Sequence, residues 1–256
     1  MDLELAGKKV VITGGSKGIG LAVATLMTRE KAEVTIISQQ ESNLKEAIDF
    51  IENATGITIN YICCDLSNDQ GRISLFSSIP DADIVINNAG DIKTGSVSDL
   101  SMDDWRRSWQ LKVFGYIHLS SLYANAMIKR QSGTIINIIG MVSNAIRDNY
   151  ICGVTGNAAL EAFTSSLGSQ TAKHQVRVFG INPTLTLTSR VENIFRARAE
   201  KETGDSENWK AILDNLDLPF ARPTQPEEVA MMTALLASPK ASYLSGTIIN
   251  YTGGVS

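Results

Sequence analysis

The amino-acid sequence predicts an α/β protein: a doubly wound parallel sheet formed by one domain over residues 1–256. Two observations carry that expectation. Short apolar runs without a polar alternate face recur along the chain, separated by segments with helical spacing, as in a parallel sheet covered by helices on both faces. The first such run also passes through a glycine-rich turn straight into a helix-like segment, the local form of a βα unit with a right-handed crossover.

Residues 8–13 read as the first strand and 18–30 as the first helix, with Ala22, Val23, Leu26 and Met27 at helical spacing. Strands follow at 33–38 and 58–64, separated by the amphipathic stretch 42–53, and a fourth strand lies at 82–86. Residues 102–129 read as one long helix, with Ser101 as its N-cap and Asp103 and Asp104 in its first turn. A fifth strand spans 134–139, a helix 158–173 and a sixth strand 176–181; 227–237 and 247–251 close the series. The stretch 188–222 breaks the rhythm: it is long, charged and without a strand, and on its own terms reads as a solvated pair of surface helices.

Composition narrows the function classes. A chain of 256 residues with 43% hydrophobic and 20% charged content is ordinary for a globular protein. A net charge of −4 with no basic stripe argues against a nucleic-acid partner or an anionic membrane surface. Three cysteines, Cys63, Cys64 and Cys152, make no disulfide framework, and no ligand spacing with His118 or His174 suggests a metal. Cys63 and Cys64 end a strand, where packing is the expected role; Cys152 has no histidine beside it to activate a thiolate. The N-terminus lacks the apolar stretch of a signal peptide, and no run approaches ~18 apolar residues, so a cytoplasmic protein is expected.

The chemistry-bearing motifs begin with Thr13-Gly14-Gly15-Ser16-Lys17-Gly18-Ile19-Gly20, after the first strand and opening the first helix. Glycines there let the backbone turn sharply and approach a pyrophosphate, while the helix N-terminus points its N–H groups at the anion. Asn87-Asn88-Ala89-Gly90 follows the fourth strand, and Leu244-Ser245-Gly246 precedes the last. Together these motifs resemble the short-chain dehydrogenase/reductase family over essentially the whole chain. The resemblance implies a Rossmann-type sheet, a nicotinamide dinucleotide and a small-molecule carbonyl or alcohol as substrate. It implies that Asp65 and Leu66 border the adenine, that Asn88, Ala89 and Gly90 border the adenosine ribose and pyrophosphate, and that Thr188 bonds the carboxamide. Pro183 and Thr184 stand where the family has Pro-Gly, so Thr184 is a departure near the nicotinamide. The resemblance further makes 188–222 a substrate lid and implies a homo-oligomer, tetramer or dimer, paired through the long helices by Phe114, Leu122, Leu160 and Phe163.

Cofactor choice turns on the end of the second strand. An acid there bonds the ribose 2′-hydroxyl of NAD; this chain has Ser38, followed by Gln39 and Gln40, so no carboxylate repels a 2′-phosphate. Lys17, inside the glycine motif, adds a cation where NADP-preferring relatives carry one. Gln39 stands where many NADP enzymes have arginine and argues the other way. NADP(H) is expected over NAD(H).

The catalytic positions depart from the family. Its tetrad of Asn, Ser, Tyr and Lys falls on Lys112, Gly140, Gly153 and Asn157, and no single shift of register restores Tyr-x-x-x-Lys. Hydride delivery to a carbonyl builds an alkoxide that needs a proton donor and nearby positive charge. Two glycines supply neither, and the pocket is expected to be larger by a phenol ring and a hydroxymethyl. Lysine and asparagine look exchanged: Lys112 supplies charge or is a helix-surface lysine, and Asn157 takes the ribose contact of the family's lysine. Tyr150 and Ser143 lie in the loop before the central helix, where Tyr150 is either a substitute acid or part of the substrate wall. Three functions stay open: an atypical oxidoreductase with Lys112 or Tyr150 as donor; a non-redox isomerase, dehydratase or cyclase using Lys112; and a silent nucleotide-binding protein.

Overall fold

The computed structural model describes residues 2–141 and 149–254; Ser143 lies outside the described residues. Seven strands, β1 (Lys9–Thr13), β2 (Glu33–Ser38), β3 (Asn60–Cys63), β4 (Ile84–Asn87), β5 (Gly133–Ile138), β6 (Val176–Pro183) and β7 (Thr247–Tyr251), form one parallel sheet in the order β3-β2-β1-β4-β5-β6-β7. The helices around it are α1 (Gly18–Arg29), α2 (Glu41–Thr55), α3 (Asp69–Ser78), α4 (Met102–Leu111), α5 (Val113–Arg130), α6 (Ile151–Thr171), α7 (Ser189–Thr203), α8 (Trp209–Asp214) and α9 (Pro226–Ala237). This is the expected Rossmann-type arrangement. The strand order reverses between β1 and β4, where crevices at the carboxyl ends of such sheets take their ligands.

Strand side chains leave the sheet alternately to either side, and both sides are covered. Val10 and Ile12 pack with Val23 and Met27 of α1, Leu44 of α2 and Val229 of α9. Val11, between them, joins Leu119, Tyr123 and Met127 of α5 on the opposite face. Burial on both faces is why the strand sequences lack polar alternation.

Several boundaries differ from the sequence expectation, each for a physical reason. The long helix at 102–129 is two helices, α4 and α5, abutting at Lys112, where the side chain turns into the core. Ser101 does cap the first: its hydroxyl accepts from the Asp104 N–H while the Asp104 carboxylate accepts from the Ser101 N–H. The central helix starts at Ile151, two turns before 158. Gly153 and Gly156 weaken the local helix signal there, but the Tyr150 carbonyl accepts from the N–H groups of Gly153 and Val154 and starts the helix regardless. Helix α3 has little apolar periodicity; Asn68 caps it by accepting from Gly71 N–H, and the buried Arg72 anchors it by donating to the Asn68 carbonyl and Gln110. Cys63 is exposed, correcting its expected packing role, because β3 is the edge strand, whereas the half-buried Cys64 packs against the core as expected. Within 188–222, α7 and α8 bury Phe195, Ala199, Trp209 and Leu213 against one another, so they are a small packed unit rather than solvated helices.

One buried polar chain ties the carboxyl ends of β4 and β5 to the helices behind them. Asn87 Nδ2 donates to Ser120 Oγ (3.0 Å) and Asn137 Oδ1 (2.8 Å), and Asn137 Nδ2 donates to Thr164 Oγ1 (2.8 Å). Asn137→Ala is expected to leave Asn87 and Thr164 short of partners and to destabilise the fold by about 1–3 kcal/mol per stranded group. Urea denaturation checks this, and an unchanged midpoint would show the network to be dispensable.

Candidate active site

The glycine turn is built against the turn after β4. Thr13 Oγ1 accepts from the N–H groups of Asn88 (2.9 Å) and Ala89 (3.0 Å), and Asn88 Nδ2 donates to the carbonyls of Thr13 (3.2 Å) and Gly14 (3.1 Å). A Cβ on Gly14, whose φ is +63°, would lie 2.9 Å from Ala89 Cα, and one on Gly20 would lie 2.2 Å from the Gly14 carbonyl oxygen. A Cβ on Gly18 would meet the Thr188 methyl at 3.0 Å. Three motifs far apart in sequence thus converge on one groove. Lys17 begins α1 in an extended conformation, exposed, and no side chain caps the helix, so its first N–H groups remain for an anion.

The other expected cofactor positions lie at or beyond the carboxyl ends of the parallel strands and along the helices that follow them. Ser38 ends β2 with Gln39 exposed after it, and Ser16 is buried beneath the turn. Asp65 accepts from Ser67 N–H (2.9 Å), a bond that, with those from its neighbours, holds its carboxyl below the usual range. The Leu66 side chain belongs to one core, and the half-buried Ile19 packs against the other. β6 runs through Pro183, and Thr184 N–H donates to the Tyr251 carbonyl (3.2 Å). Thr184 has no positive φ, so the glycine expected there is not needed. Thr188 caps α7 by accepting from Val191 N–H (3.3 Å).

At the altered tetrad the vacated space is filled from neighbouring positions, which corrects the expectation of an enlarged pocket. A Cβ on Gly153 would lie 2.0, 2.2 and 2.5 Å from Cζ, Cε1 and Cε2 of Tyr150. Such similar distances mean that the phenol lies flat across Gly153 with its hydroxyl-bearing end over the glycine. Gly140 has φ +124°, and its Cβ would lie 3.0 Å from Asn157 Nδ2. Asn157 is 2% exposed and donates to the Met141 carbonyl (3.2 Å), while its Oδ1 is buried without a partner among the described residues. Its amide nitrogen therefore faces the Gly140–Met141 turn.

Lys112 is 7% exposed, which overturns the helix-surface alternative. Its ammonium donates to Tyr116 Oη (2.9 Å) and the Ile138 carbonyl (2.7 Å), and Tyr116 Oη donates to the same carbonyl (3.0 Å). Its stem passes Gly90, where a Cβ would lie 2.8 Å from Lys112 Cδ. Burial, and then the cationic Arg190, push the Lys112 ammonium down to about 7. Burial, and then Tyr150, hold the Tyr116 phenol well above its ordinary value. Cys152 is buried, and burial raises its thiol, which leaves it unactivated.

Sequence reasoning missed Tyr116 and Arg190. Tyr116 lies four residues after Lys112, a helical neighbour that spacing alone identifies. Arg190 reaches the carbonyls of Gly90 (3.3 Å) and Ile92 (3.4 Å) and the Asp91 carboxylate (2.9 Å) across about a hundred residues, and no local signal marks it.

A glycine cradle at the switch point of a doubly wound sheet defines a dinucleotide-dependent α/β enzyme. The chain belongs to the short chain dehydrogenase family, whose sequence profile matches residues 8–199. It is 29% identical over 258 residues to the 7alpha-hydroxysteroid dehydrogenase of Escherichia coli (strain K12), covering 99% of this chain and 96% of that one. It is 29% identical over 262 residues to the 3-oxoacyl-[acyl-carrier-protein] reductase of Chlamydia pneumoniae, covering 100% and 99%. The solved L-sorbose reductase from Gluconobacter frateurii, complexed with NADPH and L-sorbose, superposes with a TM-score of 0.92 at 28% identity, covering 99% and 98%. The protein is an oxidoreductase of small molecules that uses a nicotinamide cofactor.

The interlocked packing makes the family tetrad hard to rebuild. Gly153→Ala is expected to cost about 1–3 kcal/mol by overpacking, and much less in a Tyr150→Ala background. Gly140→Ser carries a separate cost of about 1–3 kcal/mol for its left-handed φ. Denaturation of the four members of the Gly153–Tyr150 cycle checks the first expectation. Equal effects of Gly153→Ala in both backgrounds would refute the contact.

Proposed function

We propose that the protein transfers hydride between NADP(H) and the carbonyl or alcohol of a small molecule, with Tyr150 as the proton donor. The observation that supports this reading is the phenol laid over Gly153: a tyrosine hydroxyl is brought from position 150 to the base of the site that a side chain at 153 would occupy. The bound nicotinamide supplies or accepts the hydride. Tyr150 protonates the developing alkoxide, or takes the proton in the reverse direction. Lys112, being buried, acts through Tyr116 and the Ile138 carbonyl rather than by touching substrate, and this removes support from the non-redox alternative that used it as a base.

For the cofactor, the uncapped α1 N-terminus and the glycine turn take the pyrophosphate, and Lys17, Ser38 and Gln39 surround the 2′-phosphate. Asp65 and the Leu66 backbone border the adenine; Asn88, Ala89 and Gly90 border the ribose; Pro183, Thr184 and Thr188 border the nicotinamide. Asn157 shapes the turn at Gly140 instead of bonding the ribose directly. We take residues 1–256 as one domain in which 188–222 covers the substrate.

In calorimetric titration, NADPH is expected to bind more tightly than NADH, with Lys17→Ala narrowing the gap; equal affinities would count against the 2′-phosphate site. Tyr150→Phe is expected to lower kcat by about 10²–10⁴-fold while leaving NADPH affinity near wild type. A Tyr150→Phe enzyme with full turnover would exclude the phenol as donor.

We further propose a cytoplasmic homo-oligomer, dimer or tetramer; no helix among the described residues is long and apolar enough to cross a membrane. Of the four residues expected to pair, Phe114 is 46% exposed, Leu122 and Phe163 are half-buried, and Leu160 belongs to the protein's own core and is withdrawn. Phe114→Glu is expected to shift the light-scattering mass toward the monomer, and a wild-type monomer at micromolar concentration would overturn the assembly.

A further inference from the structure

Two cations meet at one glycine. Gly90 lies on the turn after β4, with the Lys112 stem against its α-carbon from inside and Arg190, at the start of α7, bonded to its carbonyl from outside. Arg190 also holds the Ile92 carbonyl and pairs with Asp91, so these contacts fasten α7 onto the turn. Asp91 is engaged with the outer cation. Among the described residues no carboxylate pairs with the inner one, which has only a phenol and a carbonyl as partners. An ammonium in that position is desolvated without a counter-ion, and a guanidinium docked on the same residue repels it.

We propose that Arg190 and Lys112 oppose one another across Gly90: docking of α7 disfavours a charged Lys112, and a charged Lys112 loosens the docking of α7. Proton uptake by Lys112 and opening of the cover are then one linked equilibrium. The sign follows from linkage. With α7 docked, Lys112 holds its proton less tightly than with α7 released, so lowering the pH favours release and raising it favours closure. The closed, docked arrangement titrates Lys112 near neutrality, which places the switch in the physiological range.

The groups that face Lys112 are few. On its own helix there is Tyr116, held above its ordinary value and therefore neutral here; β5 offers the Ile138 carbonyl. Tyr150 stands at the start of α6, near enough to act on the Tyr116 charge. The turn after β4 contributes Asp91, and α7 contributes Arg190. The two histidines have other neighbours, His118 with Asp69 and His174 with Gln131.

This coupling rests on the proposed role of 188–222 as the cover of the substrate site, but its test needs neither cofactor nor turnover. Hydrogen exchange of the full-length, cofactor-free protein is followed between about pH 6 and pH 8.5, corrected for intrinsic exchange. The first turn of α7 is expected to lose protection toward acid, by at most about tenfold per pH unit, the limit for one coupled proton. Lys112→Met should keep α7 protected throughout and abolish the dependence. Arg190→Gln should leave α7 open throughout and move the Lys112 titration, followed by NMR of labelled lysines, to higher pH. Wild-type protection of α7 that is flat with pH, pH dependence surviving in Lys112→Met, or a Lys112 titration unmoved by Arg190→Gln would each overturn the coupling. A coupling observed in a protein that binds no NADPH would sink the functional reading alone, whereas turnover without the coupling would sink only this one.

Discussion

The Thr13 hydroxyl holds the site together. It receives the N–H groups of both Asn88 and Ala89, clamping the turn after β4 onto the glycine turn after β1 at the one place where the sheet reverses its strand order. With the two turns this close, Gly14 has no room for a Cβ, and Asn88 closes the arrangement by returning its amide to the carbonyls of Thr13 and Gly14. Everything that follows along the groove takes its position from that clamp. It sets where α1 presents its N-terminus, where Thr188 meets Gly18, and where Gly90 stands between Lys112 and Arg190.

The altered catalytic region follows a second rule: each small residue faces a larger one brought in from elsewhere. Gly153 lies under the Tyr150 ring, Gly140 against the Asn157 amide, and Gly90 against the Lys112 stem. The glycines are therefore not empty places in an otherwise ordinary site. Each is required by the side chain that covers it, because protein interiors are close-packed and tolerate neither a void nor an overlap. Restoring one family residue at a time would collide with the substitute already present.

Electrostatics at the site is governed by desolvation more than by pairing. The ammonium of Lys112 has hydrogen-bond partners of no net charge, and the phenol of Tyr116 shares the same carbonyl. Both are driven toward their neutral forms, the lysine to about 7 and the tyrosine well above its ordinary value. A lysine poised near neutrality next to the arginine at the start of α7 responds to small changes around it.

The sheet, its parallel strands and the glycine groove were legible in the sequence because their signals are local. Apolar runs without alternation follow from burial on two faces, and Gly14, Gly18 and Gly20 act within a few residues of one another. The absence of the usual tetrad at Lys112, Gly140, Gly153 and Asn157 was equally plain. What replaced it was decided by tertiary structure. That Tyr150 lies across Gly153 depends on the helix beginning seven residues before its pattern becomes clear, at Ile151 rather than 158. That Lys112 is buried depends on the packing of its stem against Gly90 and of its ammonium against Tyr116 and the end of β5. That Arg190 fastens α7 to the turn after β4 depends on contacts spanning about a hundred residues of chain. Local pattern records which face of an element is apolar, but the distances among side chains carried by different elements arise only when those elements pack.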